Sequence, residues 1–426
     1  MNSLIPNKAG LSAEYKLKYG TPEDIEGWMS LVSRISWNFP GLETAEKLDE
    51  HKAVVLRFMA KRQAICVRSG DEIAGVILFS RRLNMICCLG VSPGHRRRGI
   101  ASMLMDEALR NLDRSREITV TTFRADDDKG TAPRPLYEKY GFIEEALIEE
   151  LGYPSQRYVL YPAGSERGKR QNAINRMTIA VAGILTGCGA SVYLYGSSVL
   201  DDFRLGWSDI DILVLTQKQI TEEQARRLVG LRQELLESEP DSPYYRSFEG
   251  GMLTLNAFLT GEKDRVVYWG TSGERIIDKY EFDSFCMSEL TDSGMLVYGN
   301  DIRSSLPRPA YDALRSDVQR HFETIRGYAR TTGRSLYSFG WLLDISRCIY
   351  TLRTGKIISK TAAGEWALRE KLCPCARELS KAVAVRKEPL KYKDSRHTLD
   401  LAETLGEQIQ RYADVLENEL KLSDIV

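Results

Sequence analysis

Two aspartates separated by a single residue, Asp209 and Asp211, begin an apolar run that is typical of a β-strand. Side chains alternate between the two faces of a strand, so both carboxylates point the same way while Ile210 and Ile212 face a core. Neighbouring carboxylates repel each other unless a cation lies between them, and Mg²⁺ prefers oxygen ligands. The spacing therefore predicts a Mg²⁺ site of the kind that accompanies nucleotide phosphates. The alternative is an edge strand with two solvated surface acids.

A Gly-Ser turn precedes these aspartates. The apolar run over residues 192–195 leads directly into Gly196 and Ser197. Glycine lets a backbone approach a phosphate closely, and serine adds a hydroxyl donor. The turn and the two acids together predict a site for nucleotidyl transfer.

A second candidate site lies in the first third of the chain. A strand-like run at residues 85–91 is followed by Arg96, Gly99 and Ala101, and residues 102–112 then follow helical spacing. Unpaired backbone N–H groups at a helix start, the helix dipole and small residues that allow close approach all favour an anion. The segment therefore predicts a pyrophosphate site, with a solvated basic turn as the alternative.

This segment resembles the acetyl-CoA loop of the GNAT acetyltransferases, whose signature is Gln/Arg-x-x-Gly-x-Gly/Ala. The resemblance implies that acetyl-CoA is the cofactor and that four residues hold its pyrophosphate: Arg96, Gly99, Ile100 and Ala101. It also implies that Val91, on the preceding strand, pairs with the pantetheine arm.

A downstream segment, residues 135–142, resembles the closing helix and strand of the same family. The resemblance implies that Tyr137 protonates the departing CoA thiolate; the alternative is a core tyrosine. Gly130 stands where many family members have asparagine. The general base stays open among the acids of the region that usually lines the acceptor site, which are Glu23, Glu26 and Glu43.

The second site also resembles a known family. Gly-Ser followed by Gly-x-Ser-Asp-Ile-Asp is the core pattern of nucleotidyltransferases. Residues 343–347 and 355–368 resemble the helical domain of streptomycin/spectinomycin adenylyltransferases, and the likeness extends over roughly residues 175–420. It implies ATP and Mg²⁺ as cofactors and AMP transfer to a hydroxyl group as the reaction.

The same resemblance implies a role for each site residue. Asp209, Asp211 and Glu249 would hold Mg²⁺, and Glu249 would also take the proton from the acceptor hydroxyl. Gly196 and Ser197 would bind phosphate. The family's basic contacts to the triphosphate fall on Arg347 and Lys360, with ordinary surface charge as the alternative. For Glu249 the alternative is an exposed loop acid.

The acceptor is less well defined. The family recognises cationic sugars with an aromatic and acidic residues, and this chain has Tyr328, Gly333, Tyr337 and Gly340 at those positions. One aromatic residue is retained and the acids are absent, so streptomycin or spectinomycin does not follow from the resemblance.

These patterns predict a multidomain α/β protein. Residues 1–162 form a GNAT acetyltransferase domain with an α+β mixed sheet, and residues 163–170, which lack large apolar side chains, form a linker. A nucleotidyltransferase α/β domain follows at residues 171–306. Residues 307–426 form a C-terminal α-helical bundle.

The amino-acid composition limits the expected partners and the expected cellular compartment. The 426 residues contain 59 basic and 59 acidic side chains, so a nucleic acid partner is not expected. Residues 386–393 read as a charged loop, which we expect to be solvated rather than bound to nucleic acid. The eight cysteines form no repeated C-x-x-C pairs and indicate reduced thiols in the cytoplasm. We identify no signal peptide and no apolar run of about 20 residues, so no membrane span is expected. The oligomeric state stays open.

The sequence thus predicts a bifunctional transferase that uses acetyl-CoA at one site and ATP at the other. An aminoglycoside-like antibiotic is the expected acceptor of AMP, which implies antibiotic resistance. In one alternative, one module, more readily the GNAT domain, is a non-catalytic ligand sensor. In another, the acceptor of AMP is a protein or a metabolite other than an antibiotic.

Overall fold

The computed structural model describes residues 15–124, 127–270 and 273–423. Residues 1–14 and 424–426, which begin and end the predicted domains, lie outside the described residues. The chain divides into two compact units, Met1–Asn175 and Arg176–Val426.

The described residues of the first unit form seven strands and four α-helices before the helix that crosses into the second unit. In chain order they are β1 (Lys16–Tyr19), α1 (Ile25–Ile35), α2 (Ala45–Ala60), β2 (Ala64–Ser69), β3 (Glu72–Ser80), β4 (Met85–Val91), α3 (Ile100–Arg110), β5 (Ile118–Phe123), α4 (Pro133–Lys139), β6 (Ile143–Glu150) and β7 (Tyr153–Leu160). The strands form one sheet in the order β1-β2-β3-β4-β5-β7-β6. All neighbours are antiparallel except β4 and β5.

Two apolar clusters form the core of this unit. In one, Trp28 and Leu31 of α1 pack with residues of β2 and β3. In the other, Leu104 and Ala108 of α3 pack against the central strands. Both helices present an amphipathic face to the sheet, and this packing fixes where α3 begins.

β4 and β5 pair only at their beginnings. Met85 lies opposite Thr119 and Ile86 opposite Val120, and no further pairing joins these described strands. The β3–β4 register also shifts between Leu78 and Phe79, which leaves an extra residue in β4. A bulge of this kind bends a strand, so the sheet opens between β4 and β5 toward the start of α3.

Helix α5 (Glu166–Ile184) spans the boundary between the units. It therefore begins within the segment 163–170 that the sequence predicts as a linker, and the unit boundary lies C-terminal to that segment. The domain limits at residues 162, 171 and 307 stay predictions.

The second unit joins a six-stranded sheet to a helical C-terminal part. Its elements are β8 (Ser191–Tyr195), β9 (Ile210–Thr216), α6 (Glu222–Ser238), β10 (Phe248–Thr254), α7 (Leu255–Thr260), β11 (Val266–Gly270), β12 (Gly273–Ile277), α8 (Ser284–Ser293), β13 (Met295–Tyr298), α9 (Tyr311–Tyr328), α10 (Gly340–Thr354), α11 (Lys360–Arg369), α12 (Ala376–Lys387), α13 (Pro389–Tyr392), α14 (Arg396–Glu403) and α15 (Gly406–Ser423). The sheet order is β12-β11-β10-β9-β8-β13, and only β9 and β10 are parallel.

Helix α10 lies at the centre of the helical part. Leu343, Ile345 and Ile349 are fully buried in a cluster to which the neighbouring helices contribute. The mixed sheets and the helical C-terminal segment confirm the predicted multidomain α/β fold. Within the described residues, the search for a helix with the length and apolar character of a membrane span finds none.

Candidate active sites

The acidic residues of the second unit are brought together by strand pairing. Asp211, near the start of β9, lies opposite Tyr195 on antiparallel β8 and opposite Glu249 on parallel β10. Asp209 precedes β9, and Glu249 forms a hydrogen bond with its carboxyl group. Asp209 and Asp211 therefore lie close to Glu249, which is distant from them in the sequence, at the edge of the sheet where β9 and β10 begin.

Burial makes ionisation of this cluster unfavourable. Loss of solvation raises the pKa of Asp209 to about 6, and the charge and hydrogen bond of Glu249 contribute in the same direction. The pKa of Asp211 is raised well above its ordinary value, first by burial and then by the charges of Glu289, Asp209 and Glu249. A cation at this edge would relieve both effects.

The carboxylates do not surround a single point. Across residues 15–124, 127–270 and 273–423, no group of three or more His, Cys, Asp or Glu side chains is arranged to hold a metal ion. Glu249 instead accepts a hydrogen bond from the hydroxyl of Tyr268 at 3.0 Å. Two half-buried aspartates whose charges destabilise each other suit a divalent cation, and Glu249 would have to move to join them.

The Gly-Ser turn lies directly against the acids. Gly196 has φ +65°, and a Cβ there would lie 2.2 Å from Oδ2 of Asp211, so the turn requires glycine. Ser197 Oγ donates to the backbone carbonyl of Asp209 at 3.3 Å. Within the described part of the chain, the neighbouring Ser198 Oγ is buried without a hydrogen-bond partner. The turn thus packs directly against Asp211 and leaves the Ser198 hydroxyl unsatisfied.

The helical part contributes two cations to the same cleft. Arg347 of α10 pairs with Glu289 of α8, and its guanidinium lies over the ring of Phe285. Lys360, the first residue of α11, pairs with Asp344 at 2.8 Å. Both predicted triphosphate contacts therefore line the cleft, and each is neutralised by a carboxylate that a bound phosphate could replace.

The cleft has a volume of about 370 Å³. Of the residues predicted for this site, six line it: Gly196, Ser197, Asp209, Asp211, Arg347 and Lys360. Glu249 is the exception, because it lies beside Asp209 without lining the cleft.

Two features of the cleft wall are absent from the sequence-based prediction. Glu289 is only 6% exposed and reaches the site from α8. Arg386 is only 4% exposed and pairs with the buried Asp202 at 3.2 Å. The interpretation of residues 386–393 as a solvated loop is therefore wrong for Arg386, which belongs to α12 and forms part of the wall. Neither pair has a local sequence signal, because the partners are distant in the chain.

A groove of about 290 Å³ adjoins the cleft. It shares Trp207, Tyr337 and Lys360 with the cleft, and it also contains Gly333 and Gly340. Three of the four positions considered for acceptor recognition therefore line it. Tyr328, the fourth, is 77% exposed and does not.

In the first unit, the predicted pyrophosphate loop forms the start of α3. Gly99 precedes the helix with φ +81°, a conformation that favours glycine. The side chain of Arg96 is exposed, and its Nε donates to the carbonyl of Val91 at 3.4 Å. Ala101 is half-buried, whereas the side chain of Ile100 is in the core, so only the backbone of Ile100 can face a ligand.

Tyr137 lies at the opening between β4 and β5. It is 4% exposed and lines a cavity of about 170 Å³ together with Cys88 and Glu150. Burial raises the pKa of Tyr137, and Cys88 adds to the shift. The hydroxyl therefore stays protonated at neutral pH, as a proton donor must.

The acids considered from the sequence as the general base of the first unit lie away from this cavity. Glu23, Glu26 and Glu43 are all described residues, and none of them lines the cavity. Glu150, at the end of β6, does line it. No sequence pattern singled it out, because Glu150 reaches the cavity only through the pairing of β6 with β7.

Three family models match the chain. Residues 41–152 match the acetyltransferase (GNAT) domain. Residues 184–243 match the nucleotidyltransferase domain, and residues 307–410 match the aminoglycoside adenylyltransferase C-terminal domain.

Solved structures that are similar to part of this chain include an adenyltransferase and several acetyltransferases. A spectinomycin adenyltransferase, AAD(9), from Enterococcus faecialis, solved with ATP and spectinomycin, is 17% identical with a TM-score of 0.44; the match covers 58% of this chain and 98% of that one. A GNAT acetyltransferase from Bacillus cereus is 17% identical with a TM-score of 0.28, covering 34% and 96%. The PaiA N-acetyltransferase of Thermoplasma acidophilum, solved with coenzyme A, is 15% identical with a TM-score of 0.27, covering 34% and 97%.

No protein of curated function matches the sequence closely enough to count as a relative. The family models nevertheless agree with the two resemblances predicted from the motifs and with their order along the chain. The chain therefore carries a GNAT acetyltransferase domain followed by a nucleotidyltransferase domain and an aminoglycoside adenylyltransferase C-terminal domain, and it is an enzyme of the transferase class.

Proposed function

We propose that the second unit transfers AMP from ATP to a hydroxyl group of a small, aminoglycoside-like ring molecule, in a Mg²⁺-dependent reaction. The observation that carries this proposal is the joint presence, in one cleft, of two half-buried aspartates with raised pKa values and two cationic side chains. The acids suit a metal ion, and the cations suit a triphosphate. Such an activity would give antibiotic resistance if the acceptor is an antibiotic.

In this proposal, Asp209 and Asp211 hold Mg²⁺, which when bound neutralises phosphate charge and orients the triphosphate. Arg347 and Lys360 exchange their carboxylate partners for phosphate oxygens. Ser197, at the Gly-Ser turn, offers a hydroxyl donor to the same phosphates. These residues fix the α-phosphate beside the adjoining groove.

The transfer itself forms one bond and breaks one. The acceptor oxygen bonds to the α-phosphorus, the bond from that phosphorus to the bridging oxygen breaks, and pyrophosphate leaves. Glu249 takes the hydroxyl proton, and the hydrogen bond from Tyr268 orients its carboxylate. Because Glu249 does not line the cleft, this role requires its side chain to turn toward the acceptor.

The test is AMP transfer by the full-length protein with ATP labelled at the α-phosphate, Mg²⁺ and a panel of hydroxyl-bearing ring compounds. We expect labelled acceptor and pyrophosphate in equal amounts, and no label transfer when the metal is chelated. Release of pyrophosphate and labelled AMP without a labelled acceptor would contradict the proposal.

We propose that the first unit transfers an acetyl group from acetyl-CoA to a small-molecule acceptor. The start of α3 holds the pyrophosphate, the opening between β4 and β5 admits the pantetheine arm, and Tyr137 returns a proton to the thiolate. The support is the position of Tyr137 at that opening with a raised pKa. The test is acetyl transfer from labelled acetyl-CoA, with Tyr137→Phe expected to slow turnover more than binding.

A second candidate for this unit is a ligand sensor that binds acetyl-CoA without turnover. It is favoured by one observation, the absence from the cavity of the three acids Glu23, Glu26 and Glu43. Calorimetric binding of acetyl-CoA with no acetyl transfer to any acceptor would select the sensor. Acetyl transfer that Glu150→Gln abolishes would select the enzyme.

The setting we propose is cytoplasmic, with small-molecule substrates and neither nucleic acid nor membrane as partners. All eight cysteines are free thiols, which suits a reducing compartment. The equal numbers of basic and acidic residues give no general attraction for nucleic acid.

A further inference from the structure

The opening between β4 and β5 is lined from both faces of the sheet of the first unit. Neighbouring residues of β3 alternate between the two apolar clusters: Ile77 shares a cluster with α3, and Val76 shares the other with α1. Because successive side chains of a strand point to opposite faces, α3 and α1 lie on opposite faces of the sheet. The cavity at the opening is lined by Tyr137, from the cluster of α3, and by residues 38–40 of the connection between α1 and α2.

The cofactor and the acceptor therefore have different faces available to them. In the proposed acetyl transfer, the pyrophosphate loop and Tyr137 belong to the face of α3, which leaves the face of α1 for the acceptor. The turn between β6 and β7 lies on this second face, because a Cβ at Gly41 would lie 2.8 Å from Cδ1 of Leu151. The connection between α1 and α2 and the β6–β7 turn thus enclose the acceptor end of the cavity.

The acceptor end carries a single charge. Glu150, the last residue of β6, is the only charged side chain among the described residues that line the cavity. Burial raises the pKa of Cys87 to about 11, and the charge of Glu150 adds to the shift, so the carboxylate lies near β4. The side chain of Glu150 is exposed, which lets an incoming molecule reach it. One carboxylate suits one ammonium group, and a second ammonium group would gain no partner here.

The β6–β7 turn holds a leucine that the turn itself does not favour. Leu151 and Gly152 are its two residues, with φ +53° and +74°. Asparagine and glycine adopt this conformation far more readily than leucine. The side chain of Leu151 is 77% exposed, so burial within the protein does not offset the strain. It lines the cavity together with Phe39 and Pro40, where the apolar part of a ligand would cover all three.

We propose that the acetyl acceptor is a small primary amine with one ammonium group and an apolar body, and that Glu150 is the catalytic base that deprotonates it. This inference rests on the proposed acetyl transfer and names the acceptor class of that same site. The ammonium group meets Glu150, and the apolar body covers Leu151, Phe39 and Pro40.

The proposed step balances in atoms and protons. Glu150 takes one proton from the ammonium group, and the free amine nitrogen bonds to the carbonyl carbon of the acetyl group. The bond from that carbon to sulfur then breaks. Tyr137 gives its proton to the thiolate and regains one from the acylated nitrogen, and Glu150 releases its proton to water. The products are the amide, the thiol of CoA and one proton.

The first experiment compares amines that share an ammonium group and differ in the rest of the molecule. Full-length protein is given labelled acetyl-CoA and either hexylamine, ethylamine or 1,6-diaminohexane. We expect kcat/KM for hexylamine to be at least about tenfold higher than for the other two, because only hexylamine buries a long apolar chain without a second charge. An equal or higher kcat/KM for the diamine, or transfer only to acceptors other than amines, overturns this inference and leaves the proposed acetyl transfer standing. Binding of acetyl-CoA without transfer to any acceptor overturns both.

Leu151→Asn tests where the apolar body binds. Asparagine suits the turn, so the melting temperature should be unchanged or higher, while kcat/KM for hexylamine should fall at least about fivefold relative to ethylamine. The control is Leu83→Asn, at a leucine that is 54% exposed in the turn between β3 and β4, and it should keep the wild-type preference. An unchanged preference in folded Leu151→Asn overturns the placement of the apolar body on this turn.

Glu150→Gln tests the base. We expect kcat/KM for hexylamine to fall by roughly 10²-fold or more. Calorimetric binding of acetyl-CoA should be kept, because the cofactor binds from the other face. Glu149→Gln, at the exposed neighbour that does not line the cavity, is the matched control and should behave as the wild type. Wild-type turnover in Glu150→Gln overturns the assignment of Glu150 as the base.

Discussion

Asp209 lowers the stability of the protein without ligand, whereas in the proposed function its carboxylate helps to hold Mg²⁺. Its carboxyl ionises near pH 4 in an unfolded chain, and burial and Glu249 raise its pKa to about 6 in the folded protein. As pH rises through this range, the unfolded state releases its proton first. The contribution of Asp209 to the free energy of unfolding should therefore fall between about pH 4 and pH 6 in the absence of Mg²⁺.

The Asp209→Asn variant should remove this contribution. We expect its melting temperature in the absence of nucleotide to equal or exceed that of the wild type at pH 7, and to decline less between pH 4 and pH 6. Calorimetry across that range measures both. Asp241→Asn, at an exposed acid of the same unit, is the control and should follow the wild type. A lower melting temperature for Asp209→Asn at pH 7 would contradict the electrostatic interpretation of the cluster.

Glu249→Gln tests the proposed base. The amide keeps the shape and the acceptor oxygen for Tyr268 but cannot take a proton, so turnover should fall by roughly 10²–10⁴-fold while Mg·ATP binding is kept. Steady-state AMP transfer and calorimetric ATP binding measure the two effects. Glu262→Gln, at an exposed glutamate, is the matched control. Wild-type turnover in Glu249→Gln would leave the site with two functional carboxylates.

The local sequence pattern identifies some residues of this site and fails to identify others. Asp209, Asp211 and Gly196 follow from a strand, a turn and their order in the sequence. Glu289 and Asp202 do not, because each meets its cationic partner only after α8 or the residues before β9 pack against the helical part. The expectation that Arg386 is solvated failed for the same reason: a charged residue in a charged run carries no local sign of a buried partner.

The start of helix α3 requires a left-handed backbone conformation at Gly99. Gly99 has φ +81°, so any side chain there is strained, and a glutamate would also repel a pyrophosphate. Acetyl-CoA should stabilise the wild-type protein by about 2.7 kcal/mol at a hundredfold excess over Kd, and Gly99→Glu should lose most of that shift. Thermal unfolding with and without acetyl-CoA measures it.

Gly94→Glu is the control for this prediction. It adds the same charge to the same loop at a position with open space and no positive φ. A Gly99→Glu protein that keeps the wild-type acetyl-CoA shift would contradict the placement of the pyrophosphate at α3.

The Asp202–Arg386 pair ties α12 to the segment that precedes β9. Both side chains are buried, and Asp202 also accepts a hydrogen bond from the backbone N–H of Thr361. Arg386→Met should destabilise the protein by up to about 3–5 kcal/mol, because it removes the nearer cation from a buried carboxylate and leaves it only Arg204, 3.8 Å away, as an ion-pair partner. Denaturant unfolding measures the loss. Arg396→Met, at a side chain that is 91% exposed, should change stability by less than about 0.5 kcal/mol, and an equal loss in both variants would contradict this account.

Some elements are predictable from the sequence, and their ends are less so. The hairpin of β2 and β3 and the strand β4 follow from apolar runs and turn residues. The opening between β4 and β5 depends on a register shift that leaves no mark on the apolar pattern. Helix α5 begins at Glu166, earlier than predicted, because charged and small residues can form a helix as well as a linker.

In the proposed function of the whole molecule, one chain carries two sites that use different cofactors, acetyl-CoA and ATP. Gly99→Glu should therefore abolish the response to acetyl-CoA and leave AMP transfer in place, and Asp211→Asn should do the reverse. Measuring both activities in both variants checks this independence. Loss of both activities in either variant, with the protein folded, would contradict it.

AMP transfer from ATP labelled at the α-phosphate is the measurement that decides whether the cleft of the second unit is a nucleotidyl-transfer site. It uses full-length protein, Mg²⁺ and the acceptor panel. We expect labelled acceptor with wild-type protein and with Asp241→Asn, and none above background with Asp211→Asn, because a carboxylate that lines the cleft is lost. Undiminished labelling by Asp211→Asn would contradict the assignment of the cleft as the nucleotidyl-transfer site.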